Sequence, residues 1–388
     1  MGLMKCPGPD ALGTPLDAEP AYLSVLSYNL LAPAFVRPVD LRTGAVQPFA
    51  AFEWASTEDL EWDLRRKRLL KQLESWRADV ICLQEVQFEA SPDGSFLLPT
   101  WLQGLENYSA CIPAEKYLTL IAERNERVLA NRVAIGCAVL FRRDRLVQPD
   151  EEGLRGDPNT LVSACLQGCP ESPLAALGKT AFFSVHLDAQ SEEKRVEQLR
   201  KCLERARALG TRHVVFAGDL NTECRPGSCI AAFVSDEAPS DEDMVRECAS
   251  ALRIVGGEDG DDEVPVSSKE TAGGDGEPSS EQLEQWRLLW QKAAQSRSEH
   301  RISLSRVPTG PTRSAYDHGK SEGPCVTWRL DHILHSSDTL QLHQLWTTLE
   351  ADDAASASGL PNKENPSDHL PVAAVFQAIS HHGRGFGV

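Results

Sequence analysis

His213-Val214-Val215-Phe216-Ala217-Gly218-Asp219-Leu220-Asn221 is the stretch on which the reading of this chain turns. Its apolar run, with β-branched Val214 and Val215, predicts a short strand buried on both faces. The strand closes on Gly218, then on a carboxylate and a carboxamide two residues apart, which alternation puts on one side of an extended segment. Such a pair at a strand's C-terminal edge can hold a nucleophile and a phosphate oxygen, or ligate a hard cation. An Asp and an Asn opening an ordinary turn is the plainer reading, and it weakens as the rest of the chain is added.

Working outward, the 388 residues are 41% hydrophobic, enough to bury a sizeable core. The formal charge of −18 is unevenly spread. Sixteen Asp and Glu between Asp236 and Glu284 face only Arg246, Arg253 and Lys269, so −13 lies there and −5 in the remainder. That balance argues against a long nucleic-acid footprint. The Gly-, Ser- and Pro-rich stretch 236–280 reads as an acidic, disordered surface insertion. Eleven scattered cysteines, Cys82 and Cys137 inside apolar runs, suit free thiols in a reducing compartment. Cys165/Cys169 and Cys224/Cys229 lack the paired histidines of a zinc site. No signal-peptide core and no run of 18 apolar residues is present, so a cytoplasmic or nuclear protein without a membrane span is expected.

Strands and helices alternate on both sides of the opening stretch. Tyr22–Ser27 leads into Tyr28-Asn29. Ser56 and Asp59 form a capping box that opens a helix with Leu69, Leu73 and Trp76 on one face. Asp79-Val80-Ile81-Cys82-Leu83 then ends in Gln84-Glu85, and a glutamate there is costly unless paired or metal-bound. Ala134–Phe141 and Thr180–Leu187 follow, the latter carrying His186 and then Asp188. A helix capped by Ser191 buries Val196, Leu199, Leu203 and Ala206, and Gly210 stops it. Val326–Leu330 runs through Asp331-His332 into Ile333-Leu334, and Ser367-Asp368-His369 precedes the last strand, Val372–Phe376. No internal repeat is evident. This rhythm predicts an α/β domain over 21–379, with flexible tails at 1–20 and 380–388.

Polar groups thus end separate apolar strands: Asn29, Glu85, His186, Asp219 with Asn221, Asp331, and Asp368 with His369. On one rim, they would offer the oxygen ligands that Mg²⁺ takes and carboxylate–histidine pairs for proton transfer. Gly319-Lys320-Ser321-Glu322-Gly323 fits a nucleophile elbow only in letters, since polar residues precede it. As a phosphate loop it fails because Ser314 replaces the first glycine.

Tyr28-Asn29-Leu30-Leu31-Ala32, Leu83-Gln84-Glu85-Val86, Gly218-Asp219-Leu220-Asn221 and Ser367-Asp368-His369 together resemble the ordered signature of the endonuclease/exonuclease/phosphatase superfamily. Trp62 with Arg65-Arg66, Gly136–Phe141 and Gly359-Leu360-Pro361-Asn362 are similar to its carbon catabolite repressor, nocturnin and Angel branch. The resemblance covers about residues 21–230 and 300–378. It implies a four-layer α/β/β/α sandwich of two mixed β-sheets flanked by helices, with the site at one edge. It implies Mg²⁺, replaceable by Mn²⁺, on Glu85 with Asn29 and Asp368 nearby. Asp219 would orient or deprotonate water, Asn221 would hold the phosphate, His369 backed by Asp331 would serve as acid/base or stabilise charge, and His186 would assist. One departure stands out: where deadenylases of this branch carry aromatic residues after the histidine, this chain has Leu187-Asp188-Ala189-Gln190, which places Asp188 by the substrate path. The leucine-rich repeats that dock some deadenylases are absent.

The reading is a Mg²⁺-dependent phosphodiesterase that cleaves RNA from its 3′ end, acting as a monomer. Its alternatives are a phosphatase acting on a nucleotide or RNA terminal phosphate, and a silent binding protein on the same scaffold.

Overall fold

The computed structural model of the chain describes residues 22–40, 43–47, 51–149, 161–175, 177–211, 213–235, 237–255, 277–300, 302–316, 325–346, 348 and 359–378. The two tails, the Gly319–Gly323 decoy and residues 256–276 of the acidic stretch lie outside them.

The strands are β1 Leu23–Asn29, β2 Val80–Ala90, β3 Phe96–Leu97, β4 Tyr108–Cys111, β5 Ala134–Arg142, β6 Leu146–Val147, β7 Leu161–Gly168, β8 Thr180–His186 and β9 His213–Asp219. Then come β10 Leu304–Arg306, β11 Arg313–Tyr316, β12 Cys325–Trp328, β13 Asp331–Ser336, β14 Leu340–Trp346 and β15 Val372–Ala378. The helices are α1 Thr57–Leu60, α2 Trp62–Trp76, α3 Thr100–Gln103, α4 Glu115–Leu129, α5 Glu192–Ala208, α6 Asp241–Val255 and α7 Ser280–His300.

One mixed sheet runs β14-β15-β1-β2-β5-β4 with β3 beside β2, and the other runs β10-β13-β9-β8-β7-β6. Val25, Val80, Cys82 and Val139 of the first sheet pack against Phe182, Val215, Ala217 and Ile333 of the second. The outer face of the first sheet is covered by Leu69, Leu73 and Trp76 of α2 and Leu118 of α4. The outer face of the second is covered by Val196, Leu199 and Leu203 of α5, with Ala293 of α7. These are the four layers expected. Strands buried on both faces cannot alternate polar and apolar residues, which is why β5 and β9 read as continuous apolar runs.

Each sheet is centred on one parallel pair joined by a crossover helix: β1-α2-β2 and β8-α5-β9. Both pairs are flanked by antiparallel neighbours, β15 and β5 in one sheet, β7 and β13 in the other. The chain therefore builds the same supersecondary unit twice, although its sequence shows no repeat. Gly218 lets β8 and β9 pair at full closeness, because a Cβ there would lie 1.8 Å from the Val185 carbonyl oxygen.

Three local expectations are corrected. The Ser56 box caps only α1; Glu61 has extended backbone, and α2 starts afresh at Trp62. The run from Val326 to Leu334 is two strands in different sheets, broken at Arg329-Leu330. The acidic stretch is not featureless: residues 241–255 form α6, whose Met244 and Cys248 are buried. Acidic residues in its first turn favour the positive end of the helix dipole. Gly227, at φ +94°, admits this helix because a Cβ would meet the Asp243 carbonyl oxygen at 2.4 Å.

Candidate active site

The two parallel pairs deliver their polar ends to one rim. Asn29 ends β1, His186 ends β8 and Asp219 ends β9. Glu85 lies in β2 where pairing with β5 slips between Leu83 and Val86, and its φ of +55° marks the bulge. A bulge re-aims a side chain within a strand, and here it carries a carboxylate to the rim. Asp331 begins β13 directly opposite Asp219.

Asp219 is the hub. Its Oδ2 accepts from Asn29 Nδ2 at 3.2 Å and lies 3.6 Å from Nε2 of both His186 and His369. Its Oδ1 accepts from the Asn221 backbone N–H at 2.9 Å. Asn221, at φ +50°, adopts the left-handed conformation that Asn tolerates, and its Nδ2 donates to the Leu187 carbonyl at 2.9 Å. Asn29 also donates from Nδ2 to Glu85 Oε1 at 3.0 Å. Glu85 Oε2 accepts from the Ala32 N–H at 2.9 Å.

His369 is 3% exposed and its Nδ1 lies 2.7 Å from Asp331 Oδ2. Burial alone would depress its pKa, but the charges of Asp331, Asp368 and Asp219 outweigh burial and push it up to about 10. Asp219, Asp331 and His369 each bring one donor atom within 4.8 Å, a spacing that could also admit a cation. With Nδ1 spent on Asp331 and three carboxylates favouring the protonated ring, His369 suits the role of a charged group backed by a carboxylate better than that of a cation ligand.

Asp368 fits a different role. Its Oδ2 pairs with Arg313 at 3.1 Å, while its buried Oδ1 has no hydrogen-bond partner. A buried carboxylate oxygen without a partner is costly, and a divalent cation relieves that cost. Asn29, Glu85 and Asp368 are residue types that suit Mg²⁺ or Mn²⁺; here Asn29 turns Nδ2 towards Glu85, and its Oδ1 accepts from the Leu31 N–H at 3.1 Å.

Asp188 is not joined to this cluster by any described contact. Its Oδ1 closes a turn by accepting from the Gln190 and Ser191 N–H groups at 2.9 and 2.7 Å, and Lys194 Nζ lies 3.6 Å from Oδ2.

Sequence reasoning missed what holds the rim. Arg65 is fully buried; its Nε donates to the Pro366 carbonyl at 2.6 Å, and one terminal nitrogen donates to Leu30 and Leu31 carbonyls at 2.8 and 2.6 Å. It thereby fastens the residues that follow Asn29 to those that precede Asp368. Ser367 Oγ adds a bond to the Asn29 carbonyl at 2.6 Å. The signal was present, since Arg65 occupies the α2 face of Leu69 and Leu73, where a charge is out of place. Beneath the rim, Gln84 Nε2 donates to Ser184 Oγ at 3.0 Å, and Ser184 Oγ donates to the Leu83 carbonyl at 2.8 Å, linking the sheets.

Residues 26–369 match the Endonuclease/Exonuclease/phosphatase family, and the chain belongs to it. It is similar to Carbon catabolite repressor protein 4 homolog 1 of Arabidopsis thaliana, 24% identical over 413 residues, which covers 95% of this chain and 59% of the relative. It is also similar to Protein angel homolog 2 of Homo sapiens, 24% identical over 418 residues, covering 93% of this chain and 70% of the relative. These relatives lie in the branch that Trp62 and Arg65-Arg66 pointed to. The chain thus spans under two thirds of the Arabidopsis relative. Among solved structures, ANGEL2, described as a 2′,3′-cyclic phosphatase in complex with adenosine-2′,3′-vanadate, shares the fold. Its TM-score is 0.56 at 20% identity, covering 92% of this chain and 95% of that one. The family is one of phosphoric ester hydrolases. All ten described cysteines are free thiols, and no described helix is long and apolar enough to cross a membrane.

Proposed function

We propose that this protein is a divalent-metal-dependent phosphodiesterase that hydrolyses RNA from its 3′ end. The observation that carries the reading is the Asp219 carboxylate, set 3.6 Å from Nε2 of both His186 and His369, with His369 backed through Nδ1 by Asp331 at 2.7 Å. Asn29, Glu85 and Asp368 would hold Mg²⁺, with Mn²⁺ able to replace it; the bound ion supplies Lewis-acid polarisation of a phosphoryl oxygen. Asp219 orients the attacking water and accepts its proton. The His369 imidazolium faces the charge that develops on the phosphoryl oxygens, where a fixed donor in a dry site acts most strongly. His186 assists from the opposite side of Asp219, and Asn221 steadies the phosphate. The carboxylates of Asp331, Asp368 and Asp219 around His369 favour its charged form, which suits it to charge stabilisation more than to a base's role.

A second reading is favoured by the similarity to ANGEL2, whose solved structure is described as that of a 2′,3′-cyclic phosphatase. A terminal 2′,3′-cyclic phosphate is also a phosphodiester at an RNA 3′ end, so the same groups could open it. The test offers 5′-labelled oligoadenylate, the same RNA ended by a 2′,3′-cyclic phosphate, and a panel of nucleotides, each with Mg²⁺. A ladder one nucleotide shorter at each step supports the exonuclease. Ring opening without a ladder supports the second reading, and phosphate release from nucleotides alone overturns both.

A further inference from the structure

Beyond Glu85, β2 continues to Ala90, still paired with β5 and then with β3. Its Gln87 and Glu89, with Pro33, Trp62, Trp101 and Arg132, line a cavity of about 360 Å³. That volume lies within the range of small-ligand sites. The Trp62 and Trp101 rings are 5.7 Å apart at 84°, so a flat ligand stacked on one would turn its edge to the face of the other.

The cavity is lined by residues that follow the candidate active site along two segments, Pro33 after Asn29 and Gln87 after Glu85. The Ala32 N–H donates to Glu85 at 2.9 Å, and two residues further along both segments the Ala34 N–H donates to Gln87 Oε1 at 3.1 Å. A strand advances about 6.8 Å over two residues, so Gln87 on the cavity wall lies about one nucleotide's length along β2 from Glu85. The bond from Ala34 leaves the Gln87 amide NH₂ to donate to a ligand. Glu89, whose Oε1 accepts from Thr100 Oγ1 at 3.1 Å, offers its second oxygen as an acceptor, and Arg132, paired with Glu126 at 3.1 Å, keeps further N–H donors. Stacking faces mixed with single donors and acceptors suit the face and edge of a base. A second phosphate would need clustered cations, and Arg132 is the one basic residue in the lining. Trp62 is also tied to the site, because the Arg65 guanidinium lies 5.6 Å from its ring centroid.

We infer that this cavity is a nucleobase subsite, holding the base of a nucleotide that flanks the reacting phosphate. The inference rests on the proposed RNA reading and adds how the substrate is gripped. Its test measures binding in Mn²⁺ of a phosphorothioate-linked RNA trinucleotide that resists hydrolysis, beside versions lacking the terminal or the penultimate base. Removing one of the two bases should weaken binding to the wild-type protein about 10-fold, within the range for base–aromatic stacking. In Trp101→Ala that same removal should cost nothing further, whereas Trp101→Phe should restore the dependence and so separate stacking from folding. Equal costs of base removal in wild type and Trp101→Ala, or no RNA binding at all, would overturn the subsite. Base-dependent binding without cleavage of any normal RNA leaves the subsite standing and removes the activity instead. Cleavage indifferent to Trp101 does the reverse.

Discussion

Arg65 Nε donates to the carbonyl oxygen of Pro366, 301 positions further along the chain, at 2.6 Å. Leu31, which the same guanidinium holds, sits at φ +53° without being glycine. The clamp therefore fixes a strained turn between Asn29 and the residues contacting Glu85. Burial lowers the Arg65 pKa to about 10, still charged at neutral pH, with Asp368, Tyr28 and Glu85 opposing the shift. Arg65→Met should leave three carbonyls unpaired and cost about 3 kcal/mol or more, at roughly 1–3 kcal/mol for each buried group left unsatisfied. Urea unfolding reads that loss. Mn²⁺ titration should show weaker binding too, and wild-type Mn²⁺ affinity would deny the clamp any role in positioning the ligands.

Glu85→Gln keeps the shape of the side chain and removes its charge. Activity should then fail to respond to Mg²⁺ or Mn²⁺, while the thermal unfolding midpoint in chelator stays near that of the wild type. In the wild type, chelator should abolish turnover and Mg²⁺ should restore it. Full turnover in excess chelator rules out the metal reading.

Asp331→Asn removes the strongest charge acting to keep His369 protonated. Turnover should fall about 10²-fold or more. Asp219→Asn should cost a similar factor, and the double variant should lose far less than the product, because both serve one step. Additive losses in steady-state kinetics would separate the two residues.

His332 and His335 are buried in the neutral form, with burial the main cause. Their pKa values fall to about 3 and about 4. The unfolded chain binds protons at these histidines below about pH 6.5 while the folded chain does not. Their contribution is complete above about pH 6.5 and is lost as pH falls toward 4, at about 1.4 kcal/mol per pH unit for each group. Urea midpoints should therefore drop from pH 7 to pH 5. His335→Phe, beside Phe376 at a ring separation of 4.9 Å, should lower the slope by about one proton; an unchanged slope would exclude His335.

The acidic stretch divides at Val255. Replacing residues 256–276 by a short Gly/Ser linker should leave stability and activity close to wild type. Extending the replacement through α6 should lower the unfolding midpoint, because Met244 and Cys248 would no longer be buried. Equal stability of the two variants would show that α6 adds nothing.

The central strands and the polar residues at their ends could be read from sequence, because such strands announce themselves as apolar runs ending in Asn29, Glu85, His186 and Asp219. Two sheets were implied only by the family resemblance, and their strand order was not read. Edge strands did not announce themselves. β14 alternates as Leu340-Gln341-Leu342 and then slips register at Gln344, and β10 is three residues long, too short for any period. The break at Arg329-Leu330 was hidden because apolar residues continue on both sides. α6 was masked by the charge around it, although Met244 and Cys248 stand at helical spacing. Arg65 shows the opposite failure: its letter was noticed, but only tertiary contact reveals that it acts on backbone carbonyls rather than on substrate.

The placement of β15 between β14 and β1 has a consequence for synthesis. β1 is among the earliest described segments and must wait for almost the last one before its second edge is paired. At about 5–20 residues per second of translation, the interval is roughly 20–70 s. Throughout it, Asp368 and His369 have not yet reached the rim, and the β1 edge is free to meet another chain. A ribosome-bound or prematurely stopped product would thus lack part of the candidate site and would need help to avoid aggregation.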